Sequence, residues 1–309
     1  MGAKLWIQDR NLTEEGHNVY RSTSPMDPNN MPAPYAANLP ADLTKWEDGA
    51  MVAGQTYYYR VGAFTAGGTV ELISDEIALE AVQKPYPIAG LVSHLPLDVV
   101  VNGEVIDLVG NAPGVVYGGV SAVGDPPFAG VLDFDNEPTT GPDYVVANLP
   151  QGTLKTLSLS AAIWFKTTTT KAQAIWNNTA NYGGSRSYRG IVVFGSELTG
   201  VSRDAYATYR ETPRFSNIND NKWHLAVFQQ DGPTIRIFLD GGSNMREFTM
   251  SSSLDYGSYV DEVVLAATRI TGGTISAAAD IRLAEQKVYN RILTPQEIDL
   301  LYSQFGGVV

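Results

Sequence analysis

Acidic residues alternate along one short segment, "VLDFDNEP", in which Asp133, Asp135 and Glu137 are two positions apart. On a β-strand this spacing places all three carboxylates on one face. A glycosidase that retains configuration needs two carboxyl groups about 5 Å apart, one as nucleophile and one as acid. Pro138 interrupts the strand directly afterwards, so we favour a structural strand end. A glycan-degrading hydrolase that uses Asp133 and Glu137 is kept as an alternative.

A second segment carries residue types that bind sugars. Residues 176–190, "WNNTANYGGSRSYRG", combine aromatic rings that stack on sugar faces with amide and guanidinium groups that hydrogen-bond hydroxyls. We predict that they form an exposed loop; residues 203–215 are a second stretch rich in tyrosine and arginine. Protein interfaces have the same composition, so contact with a subunit or partner protein, contact with a glycan and a plain loop are all kept as interpretations. The candidate ligand-binding residues are Trp176, Asn177, Asn178, Tyr182, Tyr188 and Arg189.

Few residues point to a metal or to covalent catalysis. The chain has no cysteine, which excludes thiol catalysis, thiolate metal sites and disulfides. Its histidines, His17, His94 and His224, are far apart, and none has a companion at metal-ligand spacing, so we predict core or surface roles for them. No cofactor is predicted. Calcium, which needs several oxygens at short spacing, is kept as an alternative with the candidate ligands Asp98, Asp107, Asp133 and Asp135.

The composition restricts the classes of partner. The 309 residues include 33 acidic and 21 basic side chains, a net charge of −12, without a basic run that would contact phosphates. We therefore predict no binding to nucleic acid. Residues 1–16 lack the apolar core of a signal peptide, and no apolar run approaches the ~18 residues of a membrane helix. We expect synthesis in the cytoplasm and no insertion into a membrane.

Alternating apolar residues predict a chain that is almost entirely β-structure. The 30 glycines and 17 prolines supply turns. Residues 157–167 have apolar side chains at every second position, from Leu157 to Phe165, which is typical of a half-buried strand. Residues 219–242 form two such strands around an Asp-Gly turn, and we predict a hairpin in the middle of a sheet.

One helix is predicted in the segment "TPQEIDLLYSQFGG", residues 294–307. Thr294 and Glu297 have the spacing of a capping box, and Pro295 suits the first helical turn. The apolar stripe that we expect to pack on a sheet consists of Ile298, Leu301 and Phe305.

The sequence divides at a proline-containing segment. Residues 83–90 contain two prolines and no periodic pattern, so we predict that they link a small domain, residues 1–82, to a larger one, residues 91–309. In the small domain, "NVYRSTSP" and "VAGQTYYYRVGAFTAGG" resemble a fibronectin type III domain over residues 15–80, with Tyr57 at the position of that family's sheet-corner tyrosine. Only "AKLWIQDR" is available for the first two strands, so we predict an unpaired sheet edge. Two hypotheses are kept: a neighbouring subunit covers this edge, or the proline-rich loop protects it.

The larger domain resembles the laminin-G-like, concanavalin A-like jelly rolls. The matching segments stand in the family's order across residues 91–305: "LVSHLPLD", "GVLDFDN", "LSLSAAIWFKT", the hairpin from Trp223-His224 to Asp240-Gly241, and "DIRLAEQKVYNRILTPQEIDLLY". Asn136 departs from the usual glycine, and Asp133 stands where the glycosidases of this fold have a glutamate. The resemblances imply an all-β protein: a small immunoglobulin- or fibronectin III-like sandwich, then a jelly-roll sandwich with one short carboxyl-terminal helix.

Together the two resemblances imply a bacteriophage virion protein, because phage structural proteins often carry both families. We expect a non-enzymatic tail fibre or tail-tip protein that is located in the virion. Its small domain would dock on other virion proteins, and its jelly roll would adhere to a host-surface glycan or contact other copies in a homo-oligomer. A capsid decoration or head fibre protein is the alternative within this class, and the hydrolase is the alternative from another class.

Overall fold

The computed structural model describes residues 3–7, 14–48, 55–65, 70–80, 86–135, 142–150, 152–154, 158–182, 185–203, 209–251, 261–269, 275–276 and 280–305. The chain folds as two compact units, Met1–Pro85 and Tyr86–Val309. Tyr86, which the sequence analysis assigned to the linker, is a buried residue of the second unit. None of the helices described is long and apolar enough to cross a membrane.

The first unit is built from antiparallel strands. They are β1 (Ala3–Trp6), β2 (Gly16–Ser22), β3 (Ala36–Pro40), β4 (Lys45–Asp48), β5 (Thr56–Phe64), β6 (Val70–Ile73) and β7 (Ile77–Glu80). Strands β1 and β4 form one sheet, so part of "AKLWIQDR" pairs within its own chain. The other sheet has the order β3-β2-β5-β6, and β7 also pairs with β5. Leu5, Val19, Tyr57 and Tyr59 form the buried core.

A buried carboxylate, Asp48, ties the two sheets of the first unit together. Its Oδ2 accepts hydrogen bonds from the Tyr59 hydroxyl and from Nη1 of Arg21, both at 2.6 Å. Burial and the bond to Asp48 raise the pKa of the Tyr59 phenol above its usual value. Tyr57, predicted as the corner tyrosine, is buried nearby; membership of the fibronectin type III family stays a prediction.

The second unit contains the remaining strands and one described helix, α1 (Pro295–Ser303). The strands are β8 (Leu91–Leu95), β9 (Glu104–Val105), β10 (Gly114–Tyr117), β11 (Ser121–Asp125), β12 (Phe128–Phe134), β13 (Tyr144–Asn148), β14 (Ser158–Lys166), β15 (Gln173–Tyr182), β16 (Ser185–Phe194), β17 (Glu197–Arg203), β18 (Tyr209–Glu211), β19 (Phe215–Ser216), β20 (His224–Asp231), β21 (Thr234–Leu239), β22 (Met245–Thr249), β23 (Glu262–Leu265), β24 (Thr268–Arg269), β25 (Ile275–Ser276) and β26 (Ile281–Tyr289).

Two large antiparallel sheets form a sandwich in this unit. The nine-stranded sheet has the order β18-β17-β16-β15-β23-β13-β10-β9, with β19 paired to β17. The eight-stranded sheet has the order β11-β12-β26-β14-β20-β21-β22, with β8 paired to β26. Strands β24 and β25 pair only with each other. The predicted hairpin is β20 and β21, inside the eight-stranded sheet.

The inner faces of the two sheets share one apolar core. On β14, Leu159, Ile163 and Phe165 are fully buried in it, as the alternation predicted; Leu157 lies outside the described residues. From the nine-stranded sheet, Val145 and Ile191 join the same cluster. Burial of such side chains supplies about 1.5–3 kcal/mol each toward folding.

Helix α1 covers the outer face of the eight-stranded sheet, where Ile298 and Leu301 pack among Trp164 of β14 and Leu225 of β20. Its first turn is closed by the predicted capping box: Thr294 Oγ1 accepts from the backbone N–H of Glu297 at 3.2 Å, and the Glu297 carboxylate accepts from the backbone N–H of Thr294 at 2.8 Å. The prediction of a nearly all-β sandwich with a short carboxyl-terminal helix is confirmed.

Candidate functional site

The structure corrects the interpretation of residues 176–190 as an exposed loop, because residues 176–182 belong to β15 and residues 185–190 to β16, and these two strands pair with each other. Both strands lie inside the nine-stranded sheet, since β15 also pairs with β23 and β16 with β17. The side chains of Trp176, Asn177, Asn178 and Arg189 are therefore buried and not available to stack on a sugar.

The buried polar groups of these two strands bond to other parts of the second unit. Asn178 donates from Nδ2 to the Glu262 carbonyl at 3.0 Å and accepts at Oδ1 from Nε of Arg189, also at 3.0 Å. Arg189 in turn donates to the Leu154 carbonyl. These residues are structural. Of the two other candidates, Tyr188 is half-buried, and the side chain of Tyr182 lies outside the described residues.

The acidic triplet is only partly described. Strand β12 ends at Phe134, so Asp133 is on the strand, and Asp135 is an exposed residue beyond its end. Oδ2 of Asp133 accepts a hydrogen bond from Nε of Arg282 at 3.0 Å. Glu137 lies outside the described residues.

Asp107, one of the four aspartates considered for calcium, organises a loop. Its carboxylate accepts hydrogen bonds from the backbone N–H groups of His94, Val109, Asn111 and Ala112 at 2.9–3.2 Å. Across the part of the chain that the structure describes, no three His, Cys, Asp or Glu side chains gather closely enough to hold a metal ion.

His224, in the predicted Trp-His motif, lies between two carboxylates. Its Nδ1 is 2.7 Å from Asp240 and its Nε2 is 3.1 Å from Asp220. Burial lowers the pKa of His224, but these two aspartates outweigh burial and raise the pKa above its usual value. The imidazole fastens one end of the hairpin, because Asp240 also accepts from the backbone N–H of Leu225 at 2.9 Å.

A buried charged cluster surrounds His94. Nε2 of His94 donates to the Glu285 carboxylate at 2.8 Å, and Lys287 donates to the same oxygen. Nδ1 of His94 accepts from the Tyr86 hydroxyl at 3.1 Å. Burial raises the pKa of Glu285, but the bonds from His94 and Lys287 outweigh burial and lower the pKa to about 2. This cluster is fully satisfied and has a structural role.

An open polar cleft of about 340 Å³ lies at one end of β12, β14 and β26. Asp133 on β12 and Lys166 on β14 are each direct cross-strand partners of Arg282 on β26, so strand register brings the three side chains together. The residues around the cleft are Asp133, Lys166, Thr167, Thr168, Asn221, Asp280, Ile281 and Arg282.

The two cations of the cleft are held by carboxylates. Asp125 accepts from Lys166 at 2.9 and 3.0 Å and from Nη1 of Arg282 at 2.7 Å. Burial raises the pKa of Asp125, but the bonds from Arg282 and Lys166 outweigh burial and keep the pKa below its usual range. Arg282 also pairs with Asp133. Both cations are therefore neutralised and fixed in position.

Three exposed side chains around the cleft remain uncommitted. Among the described residues, the Thr168 hydroxyl, the Asn221 side-chain amide and the Asp280 carboxylate have no hydrogen bond or ion pair. They supply donors and acceptors together, as a ligand rich in hydroxyl groups requires.

The sequence matches one family model, Laminin_G_3, described as the concanavalin A-like lectin/glucanases superfamily, over residues 139–299. That match covers just over half of the 309 residues. The chain belongs to this superfamily. No curated protein matches the sequence.

Solved structures share the superfamily fold at low identity. The binding domain of botulinum neurotoxin serotype C1 matches with a TM-score of 0.55 at 12% sequence identity. The aligned region covers 70% of this chain and 52% of the neurotoxin chain. The binding domain of botulinum neurotoxin DC has a TM-score of 0.54 in complex with SialylT and 0.55 in complex with rat synaptotagmin II, each at 13% identity, again covering 70% and 52%. This chain thus spans about half the length of those structures, and the likeness shows the fold alone.

Sequence reasoning missed most of the cleft in this superfamily member. Lys166 belongs to the "LSLSAAIWFKT" segment and Arg282 to the closing strand, so each carried a family signal but no functional one. Apolar residues flank Arg282 on β26, and this alternation predicts that the Arg282 side chain points away from the core. Only the register of β26 against β12 and β14 brings it to Asp133 and Lys166.

Proposed function

We propose that this protein is a non-enzymatic surface component of a bacteriophage virion that binds a host-surface glycan in the cleft of its second unit. The observation that carries the proposal is the trio of uncommitted groups Thr168, Asn221 and Asp280 around that cleft. Sugar hydroxyls both donate and accept hydrogen bonds, and this trio offers partners for both. The volume of about 340 Å³ falls within the roughly 300–1,000 Å³ of small-ligand sites.

The charges of the cleft favour an uncharged sugar. Lys166 and Arg282 are already paired with Asp125, and Arg282 also with Asp133. Asp280 is uncommitted and adds a negative charge. An anionic ligand would be repelled by this charge balance, whereas a neutral sugar meets only hydrogen-bonding groups.

Asp125, the carboxyl group linked to Asp133 through their shared Arg282, does not suit the acid of a retaining glycosidase; Glu137, the acid of the hydrolase alternative, lies outside the described residues. A retaining glycosidase needs a second carboxyl group with a raised pKa as its acid. Asp125, which shares Arg282 with Asp133, has its pKa held below the usual range and so stays ionised. Asp133 itself is fixed by the guanidinium of Arg282.

The solved structures support a binding role by association. These structures are botulinum neurotoxin binding domains, one of them in complex with SialylT and one with rat synaptotagmin II. Those ligands are known for the neurotoxin domains alone. For this chain the ligand class is inferred from the cleft.

The virion location rests on the combination of units. A small β-unit that resembles a fibronectin type III domain, followed by a jelly roll, is a combination often found in phage structural proteins. In our proposal the protein is part of a tail fibre or tail tip. The first unit docks on other virion proteins, and several copies assemble into a homo-oligomer.

Binding of the full chain to host cells and to their purified surface polysaccharide tests the proposal. We expect Thr168→Val and Asp280→Asn to weaken binding at least tenfold, because each removes a hydrogen-bonding group of the cleft. Thr170→Val, an exposed threonine two positions away, is the matched control and should bind as the wild type. Unchanged binding by both cleft variants contradicts the cleft as the site.

Two other results would replace the proposed function. Tight binding to empty capsids with no binding to host cells would indicate a decoration protein. Release of reducing sugar from the polysaccharide would indicate a hydrolase, and loss of that release in Asp133→Asn would assign the nucleophile.

A further inference from the structure

A row of directly paired residues crosses the nine-stranded sheet. Thr179 on β15 pairs with Tyr188 on β16, Tyr188 with Arg203 on β17, and Arg203 with Tyr209 on β18. Side chains of directly paired residues lie on the same face, about 4.5–5.5 Å apart at Cβ. Arg203 therefore lies between two tyrosines.

The neighbouring row shows which face this is. Asn178, Arg189 and Ser202 are paired in the same way, and all three are buried. Ser202 donates to the side chain of Gln230, which belongs to the opposite sheet, at 3.4 Å. That row points into the sandwich, so the alternation of the strands puts Arg203 and its two tyrosines on the outer face.

Arg203 has no partner among the described residues. The residue is half-buried, and its Nε is buried without a hydrogen bond. A buried donor left unsatisfied destabilises the folded protein. By contrast, Arg189 is bonded to Asn178 and Leu154.

Among the described residues, the carboxylates near Arg203 are occupied or distant; Asp204, the next residue in the chain, lies outside them. Glu211, on the same strand as Tyr209, accepts from the Tyr209 hydroxyl at 3.0 Å and from Arg214 at 3.0 Å. Glu262 is three strands away from Arg203 in the row, about 14 Å at the usual strand spacing. The acidic chain, with a net charge of −12, thus leaves this guanidinium without a counter-charge in the described structure.

We propose that Arg203, flanked by Tyr188 and Tyr209, holds the carboxylate of an acidic sugar on the outer face of the nine-stranded sheet. A guanidinium fork matches a carboxylate with two parallel hydrogen bonds. Tyrosine rings offer an apolar face to a sugar ring and a hydroxyl to its polar edge. An acidic sugar combines both features in one residue, whereas an acidic peptide supplies only the carboxylate. This site is on the other sheet from the cleft, and its ligand class rests on the proposed glycan-binding function.

The test measures binding of the full chain to sialyllactose, to a uronic acid oligosaccharide, to neutral lactose and to a glutamate-rich peptide. We expect the wild type to bind the two acidic sugars and to bind lactose at least tenfold more weakly. Arg203→Gln should abolish this preference. Arg203→Lys keeps the charge but loses the fork, and should weaken binding of acidic sugars about tenfold.

The matched control is Arg210→Gln, because Arg210 is an exposed arginine on the neighbouring strand; it should bind the acidic sugars as the wild type does. Thermal unfolding of Arg203→Gln should be unchanged or slightly raised, since the variant removes an unsatisfied donor. This result separates lost binding from lost folding.

Three outcomes overturn the inference: equal binding of acidic sugars by wild type and Arg203→Gln, no binding of acidic sugars at all, or tighter binding of the peptide. If Thr168→Val no longer binds host polysaccharide and Arg203→Gln binds every ligand as the wild type does, the proposal for the cleft is supported and the proposal for Arg203 is wrong. If Arg203→Gln no longer binds acidic sugars and the cleft variants bind host polysaccharide as the wild type does, the proposal for Arg203 is supported and the proposal for the cleft is wrong.

Discussion

Arg282 donates a hydrogen bond from Nε to Oδ2 of Asp133 at 3.0 Å, and the two residues are direct cross-strand partners on β26 and β12. The same guanidinium bonds Asp125, which also holds Lys166. The four charges form one alternating network beside the cleft. Its geometry therefore depends on the carboxylate of Asp125.

The variant Asp125→Asn should lower the free energy of unfolding by about 1–3 kcal/mol, because it leaves Lys166 and Arg282 without their shared counter-charge. Glu247→Gln is the control. Glu247 lies on the edge strand β22 and forms an ion pair with Arg236 at the protein surface, so loss of this ion pair should cost no more than about 1 kcal/mol. Urea unfolding of both variants measures the difference. Equal losses would show that the network stabilises the protein no more than an exposed ion pair does.

In the first unit, Tyr59→Phe should destabilise by about 1–3 kcal/mol, because the buried Asp48 loses one of its donors. Tyr58→Phe removes a hydroxyl from the adjacent, half-buried residue of the same strand and should change stability by less than about 0.5 kcal/mol. Amide exchange along β5 is the measurement, since it reports on this unit separately. Exchange that is accelerated equally in the two variants would disprove a special role for the Tyr59–Asp48 bond.

Glu285 should make the stability of the second unit depend on acidic pH. Its pKa falls from 4.5 to about 2 on folding, so its contribution is fully present above pH 4.5 and is lost as the pH falls through about 2. We expect the difference in unfolding free energy between the wild type and Glu285→Gln to shrink steadily over that interval. Denaturant titrations from pH 5 to pH 2 measure it, and a constant difference would contradict the role of Glu285.

Helix α1 provides a test of packing with two adjacent leucines. Leu301 is 2% exposed and Leu300 is 42% exposed. Leu301→Ala should cost about 2–5 kcal/mol, because it opens a cavity between the helix and the eight-stranded sheet. Leu300→Ala should stay within about 0.5 kcal/mol of the wild type. Thermal unfolding of the two variants compares them, and similar midpoints would mean that the helix is not packed as described.

Local patterns predicted the elements whose signals lie within a few residues. The alternation from Leu159 to Phe165 predicted β14 and its buried face. The spacing of Thr294 and Glu297 predicted the start of α1, because a capping box involves only one turn of the chain.

Residues 176–190 show where local patterns fail. Adjacent asparagines and glycines favour turns, so Asn177 and Asn178 predicted a loop. Their amides instead find backbone carbonyls at Ala267 and Glu262, more than 80 positions along the chain. Pairing with distant parts of the chain overrides the local preference for a turn, and no residue pattern within the segment predicts that pairing.

The cleft and the row of Arg203 depend on register between strands that are distant in sequence. A shift of one residue in β26 would turn Arg282 to the other face and separate it from Asp133. Nothing within "ADIRLAEQKVYN" determines that register. The same holds for Arg203, which meets Tyr188 and Tyr209 only through the register of β16, β17 and β18.

Strand β26 has a consequence for synthesis of the chain. It pairs with β8, β12 and β14, and its residue Gln286 bonds Ser93 from 193 positions away. On the ribosome those three strands emerge long before the strand that joins them, and their bare edges are exposed to other nascent chains. Yield of folded protein should therefore rise with chaperones that shield these edges until β26 has been synthesised.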